Sequence, residues 1–322
     1  MIKRFLRAAI GLLCASLAAA ALAQGAAKPL RIVVSFPPGG PVDFVARALG
    51  EQLGKELQTT VVIDNKAGAN GAIGASEVMR ATPDGSTIWI TSVGAAAVNP
   101  SLYEKLAYDM QRDFVPLTLV VNNVELLVVH PSNPADGAAA FVAAAKRNPD
   151  NATLASSGIG SIPHLALEQL NDASGASFRH IPYKGAAPAI TDVMGGQVGG
   201  FFGDIPGLIG FVKGGKLKPL GIAASSRHPA LPDVRTLAEQ GIAGVDSNNW
   251  YALFAPAKTP PAVVEQLNQA VRRALTTPAL RDKLLASGAD PAPSTPQELS
   301  AVLKHDTEKW AKLIRDKRIK AE

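Results

Sequence analysis

Cysteine is almost absent from this sequence of 322 residues. The one cysteine, Cys14, lies in an apolar N-terminal segment that has the features of a cleaved export signal. No thiol remains once that segment is removed, although an exported protein could use disulfides freely. The lack of cysteine excludes a disulfide framework, thiol-based catalysis and a zinc site built from cysteine.

Motifs for metals and cofactors are missing as well. The five histidines are scattered, and no His-x-x-x-His or Glu-x-x-His pair occurs, so we predict that no metal is bound. No glycine-rich loop ends in Gly-Lys-Ser or Gly-Lys-Thr, which excludes a P-loop. Pro163 takes the place of the third glycine that a dinucleotide fingerprint starting at Gly158 would need. We expect no cofactor.

The sequence has only a small excess of positive charge. The formal net charge is +5, and it falls to +2 without Lys3, Arg4 and Arg7 of the N-terminal segment. No run of lysine and arginine interleaved with aromatic residues precedes the C-terminal helix, so we expect no nucleic-acid partner. The basic residues within 312–320 are more simply explained as the solvated face of a terminal helix.

The N-terminus predicts export. Basic residues precede the apolar run 8–23, and Ala21-Leu22-Ala23 is a small-residue cleavage pattern. An uncleaved anchor is the alternative, but the run of 16 residues is shorter than the roughly 20 that span a bilayer core. We predict a signal peptide at residues 1–23, a mature chain that begins at Gln24, and a periplasmic location.

From Leu30 onward, short apolar runs alternate with helical patterns, which predicts a doubly wound α/β fold. We expect strands near residues 32–35, 61–64, 88–91, 114–120, 126–129, 153–155, 180, 200–202, 219–223 and 250–254. We expect helices to start near Pro41, Gly71, Gly137, Ile162, Ala187, Ile205, Val234, Pro261, Pro278 and Thr295.

No repeat, low-complexity block or Pro/Ser-rich linker divides the chain. Two domains without a linker suggest that the chain crosses between them through strands, and we place these crossings near residues 122–123 and 246–248. The prediction is a first domain made of residues 24–123 and 247–322, and a second domain made of residues 124–246. Paired crossings form a hinge, and ligand pockets favour the cleft between domains.

Three glycine-rich loops each follow a predicted strand and precede a predicted helix. They are residues 35–43 (SFPPGGPVD), 156–164 (SSGIGSIPH) and 182–189 (PYKGAAPA). Small residues let the main chain approach a ligand closely, and proline suits a first helical turn. The free N–H groups of such a helix start form a ready site for an anion. An ordinary strand-to-helix turn has the same features, and the first loop alone does not separate the two interpretations.

Two polar residues near these loops have alternative explanations. Asn70, within residues 68–72 (GANGA), is a natural helix N-cap and is also a candidate for the binding site. Asp204 ends a strand at the position where α/β ligand sites form. It either caps the next helix or holds an amino or hydroxyl group of a ligand.

Ser161, His164 and Asp204 allow one enzymatic alternative. A serine activated by a histidine and oriented by a carboxylate is the usual arrangement for acyl transfer. His164 follows Ser161 by three residues, which places both at a helix start. A Gly-x-Ser-x-Gly elbow is missing. We therefore keep a periplasmic serine hydrolase as the alternative and assign no catalytic residue in the favoured interpretation.

Five segments, taken in order, resemble the Bug family, the extracytoplasmic solute receptors of tripartite tricarboxylate transporters. They are residues 35–43, 64–71 (DNKAGANG), 82–85 (TPDG), 183–185 (YKG) and 254–260 (FAPAKTP). The resemblance runs from about Leu30 to the C-terminus. It implies a type II periplasmic binding protein that is not an enzyme, with two doubly wound lobes around a two-crossing hinge and a small carboxylated solute closed between them.

The resemblance also implies which residues bind the solute. Main-chain amides of the first loop and of the Tyr-Lys-Gly loop hold the carboxylate in this family, which points to Phe36, Pro38, Gly39, Gly40, Gly185, Ala186 and Ala187. Position 38 is proline where many members have a smaller residue. Ser156, Ser161, His164 and Asp204 would line the opposite wall, and Asn70 completes the candidate set. We expect a monomer that delivers an organic acid or similar carboxylate to a membrane permease.

Overall fold

The computed structural model describes residues 28–321. The predicted signal peptide, residues 1–23, lies outside the described residues, and Cys14 lies outside them with it. None of the helices within residues 28–321 is long and apolar enough to cross a membrane.

The strands of the described chain form two separate sheets. The strands are β1 (Leu30–Val34), β2 (Val61–Asn65), β3 (Thr87–Ser92), β4 (Phe114–Asn122), β5 (Glu125–Val129), β6 (Thr153–Ser156), β7 (Arg179–Pro182), β8 (Phe201–Asp204), β9 (Lys218–Ile222), β10 (Tyr251–Pro256) and β11 (Asp290–Pro291). The first sheet has the order β11-β4-β10-β3-β1-β2, and the second has the order β7-β6-β8-β5-β9. Each sheet is the centre of one lobe.

Two crossings of the chain connect the lobes. The chain leaves the first sheet between β4 and β5 and returns between β9 and β10. The strand that follows each crossing is antiparallel to both of its neighbours. Strand β10 is antiparallel to β3 and β4, and β5 is antiparallel to β8 and β9. The crossings also pair with each other, because the Asn249 amide donates to the Asn123 carbonyl at 2.9 Å and Asn123 Nδ2 donates to the Asn249 carbonyl at 3.0 Å. The two-lobed α/β fold class is confirmed, while the boundaries at residues 123 and 246 stay predictions.

Helices cover the faces of both sheets. They are α1 (Pro41–Leu57), α2 (Ala72–Met79), α3 (Asn99–Leu102), α4 (Met110–Asp113), α5 (Ala138–Arg147), α6 (Ile162–Ser174), α7 (Ala186–Met194), α8 (Ile205–Lys213), α9 (Pro261–Thr276), α10 (Pro278–Ser287) and α11 (Pro296–Lys317). Proline occupies the first or second position of α1, α6, α8, α9, α10 and α11. Its fixed backbone angle suits this position, where an amide would have no helical partner.

Several local details differ from the sequence expectation, among them the short elements α3, α4 and β11, which the sequence patterns do not predict. The helix predicted near Val234 is wrong, because Thr236 forms a β-bridge with Ile222 and only the short 3₁₀ turn Ala238–Gln240 follows in the described chain. A π-helical segment, Gly94–Val98, leads into α3 and has no counterpart in the prediction. All five of its residues are buried, so the sequence shows none of the alternation between apolar and polar residues that reveals a surface helix.

The two lobes share part of an apolar core. Trp89 of β3 packs against Phe114 and Phe254, with ring centroids 4.9 and 5.6 Å apart. Ile162 and Leu165, from the second-lobe helix α6, belong to the same buried cluster as Trp89. The start of α6 is thereby fixed against the first lobe, which places it beside the loops of that lobe.

Candidate functional site

A cleft lies between the lobes, and the space within and in front of it amounts to about 480 Å³, open solvent included. Both lobes and the return crossing contribute to its walls. The lining residues are Phe36, Pro37, Gly40, Pro41, Val42, Ser92, Ser157, Ser161, Ile162, Pro163, Gly185, Ala186, Ala187, Asp204 and Asn249.

Three helix starts meet at this cleft. Gly40 precedes α1, Ser161 precedes α6 and Gly185 precedes α7, and none of the three starts has a side-chain cap hydrogen bond. The first amides of a helix have no partner within the helix. Among residues 28–321, no other acceptor is found for the amides of Val42 and Ala186. Partial positive charge from both lobes is therefore directed into one space.

The first loop is held in place by the buried carboxylate of Asp43. Asp43 accepts hydrogen bonds from the Gly39 amide at 3.0 Å, from Arg47 Nε at 2.9 Å and from Asn65 Nδ2 at 2.9 Å. Asn65 Nδ2 also donates to the Phe36 carbonyl at 3.0 Å. Burial alone would raise the pKa of Asp43, but these hydrogen bonds outweigh it and hold the pKa below its usual range. The loop is preorganised by an anion that lies behind it.

The second and third loops are bonded to each other. The Gly185 amide donates to the Ser157 carbonyl at 3.1 Å, and the Tyr183 amide donates to the Ser156 carbonyl at 3.1 Å. The Tyr183 hydroxyl in turn donates to Asp192 Oδ2 at 2.6 Å. The starts of α6 and α7 therefore form one rigid wall of the cleft.

Asn70 joins the lobes instead of capping a helix. Its side-chain amide donates to the Gly160 carbonyl of the second lobe at 3.0 Å and to Asn99 Oδ1 of the first lobe at 2.9 Å. Gly71 is the residue before α2, and that helix start has no side-chain cap hydrogen bond. The predicted capping role of Asn70 is wrong, because its amide is used across the cleft.

Asp204 and Glu125, together with Asn249 and Tyr251, form a cluster at the base of the cleft that we call the acidic cluster. Asp204 Oδ1 accepts from Asn249 Nδ2 at 2.9 Å, and Asp204 Oδ2 accepts from the Tyr251 hydroxyl. Glu125 lies opposite Asp204 on the neighbouring strand, fully buried, with Oε1 3.4 Å from Asn249 Nδ2. Asp204 makes no cap hydrogen bond to α8, which excludes the capping explanation for this residue.

Burial changes the protonation of this acidic cluster. It raises the pKa of Asp204 to about 6, against the opposing effect of the hydrogen bonds from Tyr251, Glu125 and Asn249. Burial, followed by the charge of Asp204, raises the pKa of Glu125 well above its usual range. Both carboxyl groups therefore keep their protons to a higher pH than exposed carboxyl groups do, and Asp204, with a pKa of about 6, is ionised at neutral pH.

Two stacked histidines lie behind the second loop. The rings of His164 and His180 are 3.8 Å apart between centroids, with their planes 9° apart. His164 Nδ1 accepts from the Gly160 amide at 3.1 Å, and His180 Nε2 lies 2.6 Å from Ser156 Oγ. Burial lowers the pKa of His164 to about 3, with a further contribution from His180, and lowers the pKa of His180 to about 4. Both rings are neutral supports for the loop.

The structure does not support the serine hydrolase alternative. The Ser161 hydroxyl donates to the Gly158 carbonyl at 2.7 Å, and His164 Nδ1 is occupied by the Gly160 amide. No hydrogen bond joins Ser161 to His164 within the described chain, and Asp204 bonds to Asn249 and Tyr251. A serine without a base cannot serve as the nucleophile.

The described residues, 28–321, contain no group of three or more histidine, aspartate or glutamate side chains that could hold a metal ion.

The structure brings together part of the candidate set. Seven of the candidates line the cleft: Phe36, Gly40, Ser161, Gly185, Ala186, Ala187 and Asp204. Five others surround it without lining it: Pro38, Gly39, Asn70, Ser156 and His164. Ser157, Ile162 and Pro163 adjoin the predicted residues in the second loop, whereas Ser92 and Asn249 come from distant segments that have no local glycine-rich signal. Contact of any of these residues with a ligand stays a prediction.

Comparison with known proteins identifies similar chains. Residues 45–319 match the family model described as "Tripartite tricarboxylate transporter family receptor". The solved structure of the periplasmic binding protein BugD is 33% identical with a TM-score of 0.86, covering 91% of this chain and 99% of BugD. Rpa4515 of R. palustris, solved with adipate, is 30% identical with a TM-score of 0.87, covering 89% of this chain and 96% of its own. MatC from Rhodopseudomonas palustris, solved with bound malate, is 32% identical with a TM-score of 0.83, covering 89% of this chain and 98% of its own.

Proposed function

Because this chain belongs to the tripartite tricarboxylate transporter receptor family, we propose that it captures a small carboxylate in the cleft between its lobes. One observation carries the proposal: the starts of α1, α6 and α7, from both lobes, meet at that cleft without side-chain caps. Helix starts bind anions through unpaired amides and the helix dipole. Adipate and malate, found with the similar proteins Rpa4515 and MatC, are carboxylates of this kind.

Main-chain amides and serine hydroxyls can hold such a ligand without a basic side chain. No lysine or arginine is among the described residues that line the cleft. A micromolar affinity corresponds to about 8 kcal/mol, and hydrogen bonds to a charged group contribute roughly 1.5 to 3 kcal/mol each. Four or five amide or hydroxyl donors supply roughly 6 to 15 kcal/mol before the cost of immobilising the ligand is subtracted, so the upper part of this range reaches the micromolar value. The amides at the starts of α1 and α7, with the hydroxyls of Ser92 and Ser157, are the proposed donors.

The remaining candidates have supporting roles in this proposal. The Gly39 amide is already bonded to Asp43, so Pro38 and Gly39 shape the first loop. Asn70, Ser156 and His164 fix the second loop from behind. Phe36, Gly40, Ser161, Gly185, Ala186, Ala187 and Asp204 are the residues proposed to contact the ligand.

The wider assignment follows from the family. Its members are periplasmic binding proteins, and we propose that residues 1–23 direct export and are then removed. Residues 24–123 and 247–322 would move as one domain and residues 124–246 as the other, closing around the solute at the paired crossings. The loaded receptor would act as a monomer and deliver its solute to a tripartite membrane permease.

The test places a negative charge at one of the helix starts. Ala187 is the second residue of α7 and lines the cleft, whereas Ala262 is the second residue of α9 and is exposed elsewhere. Ala187→Asp should repel a bound carboxylate and reduce its affinity at least tenfold, and Ala262→Asp should leave affinity unchanged. A calorimetric panel of mono-, di- and tricarboxylates, amino acids and aromatic acids measures both. An equal effect of the two variants, or no binding by any compound, contradicts the proposal.

A further inference from the structure

We infer that the solute carries a protonated amine in addition to its carboxylate, and that Asp204 and Asn249 form the amine subsite. This inference rests on the proposed function, because it assumes that the carboxylate lies at the helix starts. It narrows the ligand from carboxylates in general to amino carboxylates.

The base of the cleft presents hydrogen-bond acceptors whose neighbouring donors are already used. Asn249 Nδ2 is directed to Asp204 Oδ1, and the Tyr251 hydroxyl is directed to Asp204 Oδ2. Asn249 lines the cleft and is only 5% exposed. Its Oδ1 atom is buried and has no hydrogen-bond partner among the described residues. Leaving a buried acceptor unpaired costs about 1 to 3 kcal/mol. A ligand that donates hydrogen bonds at this position would satisfy it.

The charge of Asp204 also has no counter-charge. Asp204 is 8% exposed, and the described lining residues include no lysine, arginine or histidine. Buried charges in proteins are normally paired. A hydroxyl group would satisfy the free acceptors but not this charge, whereas an ammonium group would satisfy both.

The cleft is therefore polarised from one end to the other. Partial positive charge from the starts of α1 and α7 lies at one end, and the carboxylate of Asp204 lies at the other. A second ligand carboxylate directed at Asp204 would be repelled, and repulsion of this kind is how binding sites exclude near-matches. The arrangement fits a zwitterion better than a dianion.

The first experiment compares ligands that share a carbon skeleton. Calorimetry at pH 7.5 measures affinity for succinate, malate and aspartate, for glutarate, 2-hydroxyglutarate and glutamate, and for butyrate and 4-aminobutyrate. In the skeleton that binds best, the amine-bearing member should bind at least tenfold more tightly than the hydroxyl-bearing or unsubstituted member. An amine-free member that binds as tightly or more tightly overturns the inference.

The second experiment removes the charge of Asp204. Asp204→Asn should abolish most of the preference for the amine, measured as the ratio of the affinities for the amine-bearing and the unsubstituted acid, and the exposed aspartate variant Asp136→Asn should keep the wild-type preference. A folded Asp204→Asn protein with an unchanged preference overturns the inference. Carboxylates that bind without any amine preference contradict this inference alone, whereas a complete lack of carboxylate binding contradicts the proposed function as well.

Discussion

Gly185 of the second lobe lies directly against Pro37 of the first. A Cβ atom built on Gly185 would be 3.1 Å from Pro37 Cγ and 3.2 Å from Pro37 Cδ. Gly185 has φ 109° and ψ 173°, a conformation that is essentially restricted to glycine. Two loops from opposite lobes therefore meet at a contact that only glycine permits.

We expect Gly185→Ala to reduce both stability and ligand affinity. The backbone conformation should cost about 1 to 3 kcal/mol of unfolding free energy, and the added methyl group should hold the lobes apart and weaken binding at least tenfold. Gly196→Ala is the matched control, because Gly196 is exposed at φ 70° with no atom within 4 Å of an added Cβ. Denaturant unfolding and calorimetry measure both variants. Equal affinities in the two variants would show that the contact with Pro37 has no role in closure.

Asp43 provides a test of loop preorganisation. Asp43→Asn keeps the shape of the side chain but removes the charge that accepts from Gly39 and Arg47. Because hydrogen bonds to a charged group are worth roughly 1.5 to 3 kcal/mol, we expect a stability loss of that size and weaker ligand binding. Denaturant unfolding at pH 7 measures the first effect, and calorimetry measures the second.

Asp84 is a suitable comparison for this experiment. It also accepts from a lysine and from Ser86, but its side chain is 39% exposed. Exposed ion pairs contribute about 1 kcal/mol or less, so Asp84→Asn should change stability little and affinity not at all. If Asp43→Asn behaves like Asp84→Asn, the first loop does not depend on its buried anion.

Local sequence patterns predict the helix starts of this site well but its base poorly. Gly40, Ser161 and Gly185 each precede a helix because glycine, proline and small polar residues specify a strand-to-helix turn within a few positions. Asn249 and Tyr251 reach Asp204 only through the return crossing, 45 and 47 residues further along the chain. No periodicity or spacing in the sequence encodes such a contact, because it depends on how the two lobes are placed together.

The edges of the fold show the same limit. Strand β11 has two residues and exists only because it pairs with β4, so no hydrophobic pattern marks it. The segment Gly94–Val98 is buried on all sides and therefore has no amphipathic face. The long elements α1 and β4 follow directly from their patterns, since each buries one continuous surface.

The stacked pair His164 and His180 makes the stability of the protein dependent on pH. The pKa of each ring is lower in the folded protein, at about 3 and about 4, than its ordinary value of 6.5. The unfolded chain therefore binds protons first, and stability is lost as pH falls below about 6.5. We expect each histidine to account for roughly 2 kcal/mol of lost stability between pH 6.5 and 4.5.

The variant His164→Gln isolates this effect. Glutamine can still accept from the Gly160 amide but does not titrate, so the loss of stability over this pH range should be smaller by roughly 2 kcal/mol than in the wild type. The comparison must be between variants, because the raised pKa values of Asp204 and Glu125 make those groups destabilising as pH rises over part of the same range. His305→Gln, on the exposed side of α11, controls for the substitution. An unchanged pH slope in His164→Gln contradicts this account.

The protonation of Asp204 should control affinity for an amine-bearing solute. Its pKa is raised to about 6 by burial, and the groups that face it are Glu125 of β5, Tyr251 of β10 and Asn249 of the return crossing. As pH falls through 6, Asp204 gains a proton and loses its attraction for an ammonium group.

Affinity for 4-aminobutyrate, whose own groups do not titrate between pH 5 and 7.5, should fall about tenfold over that range. Butyrate, once its affinity is corrected for the fraction of its own carboxyl group that is protonated at pH 5, should bind with unchanged or greater affinity, since protonation of Asp204 removes a repulsive charge. Calorimetry at both pH values, repeated with Asp204→Asn, gives the measurement, and a pH dependence that persists in that variant assigns the titration to a group other than Asp204.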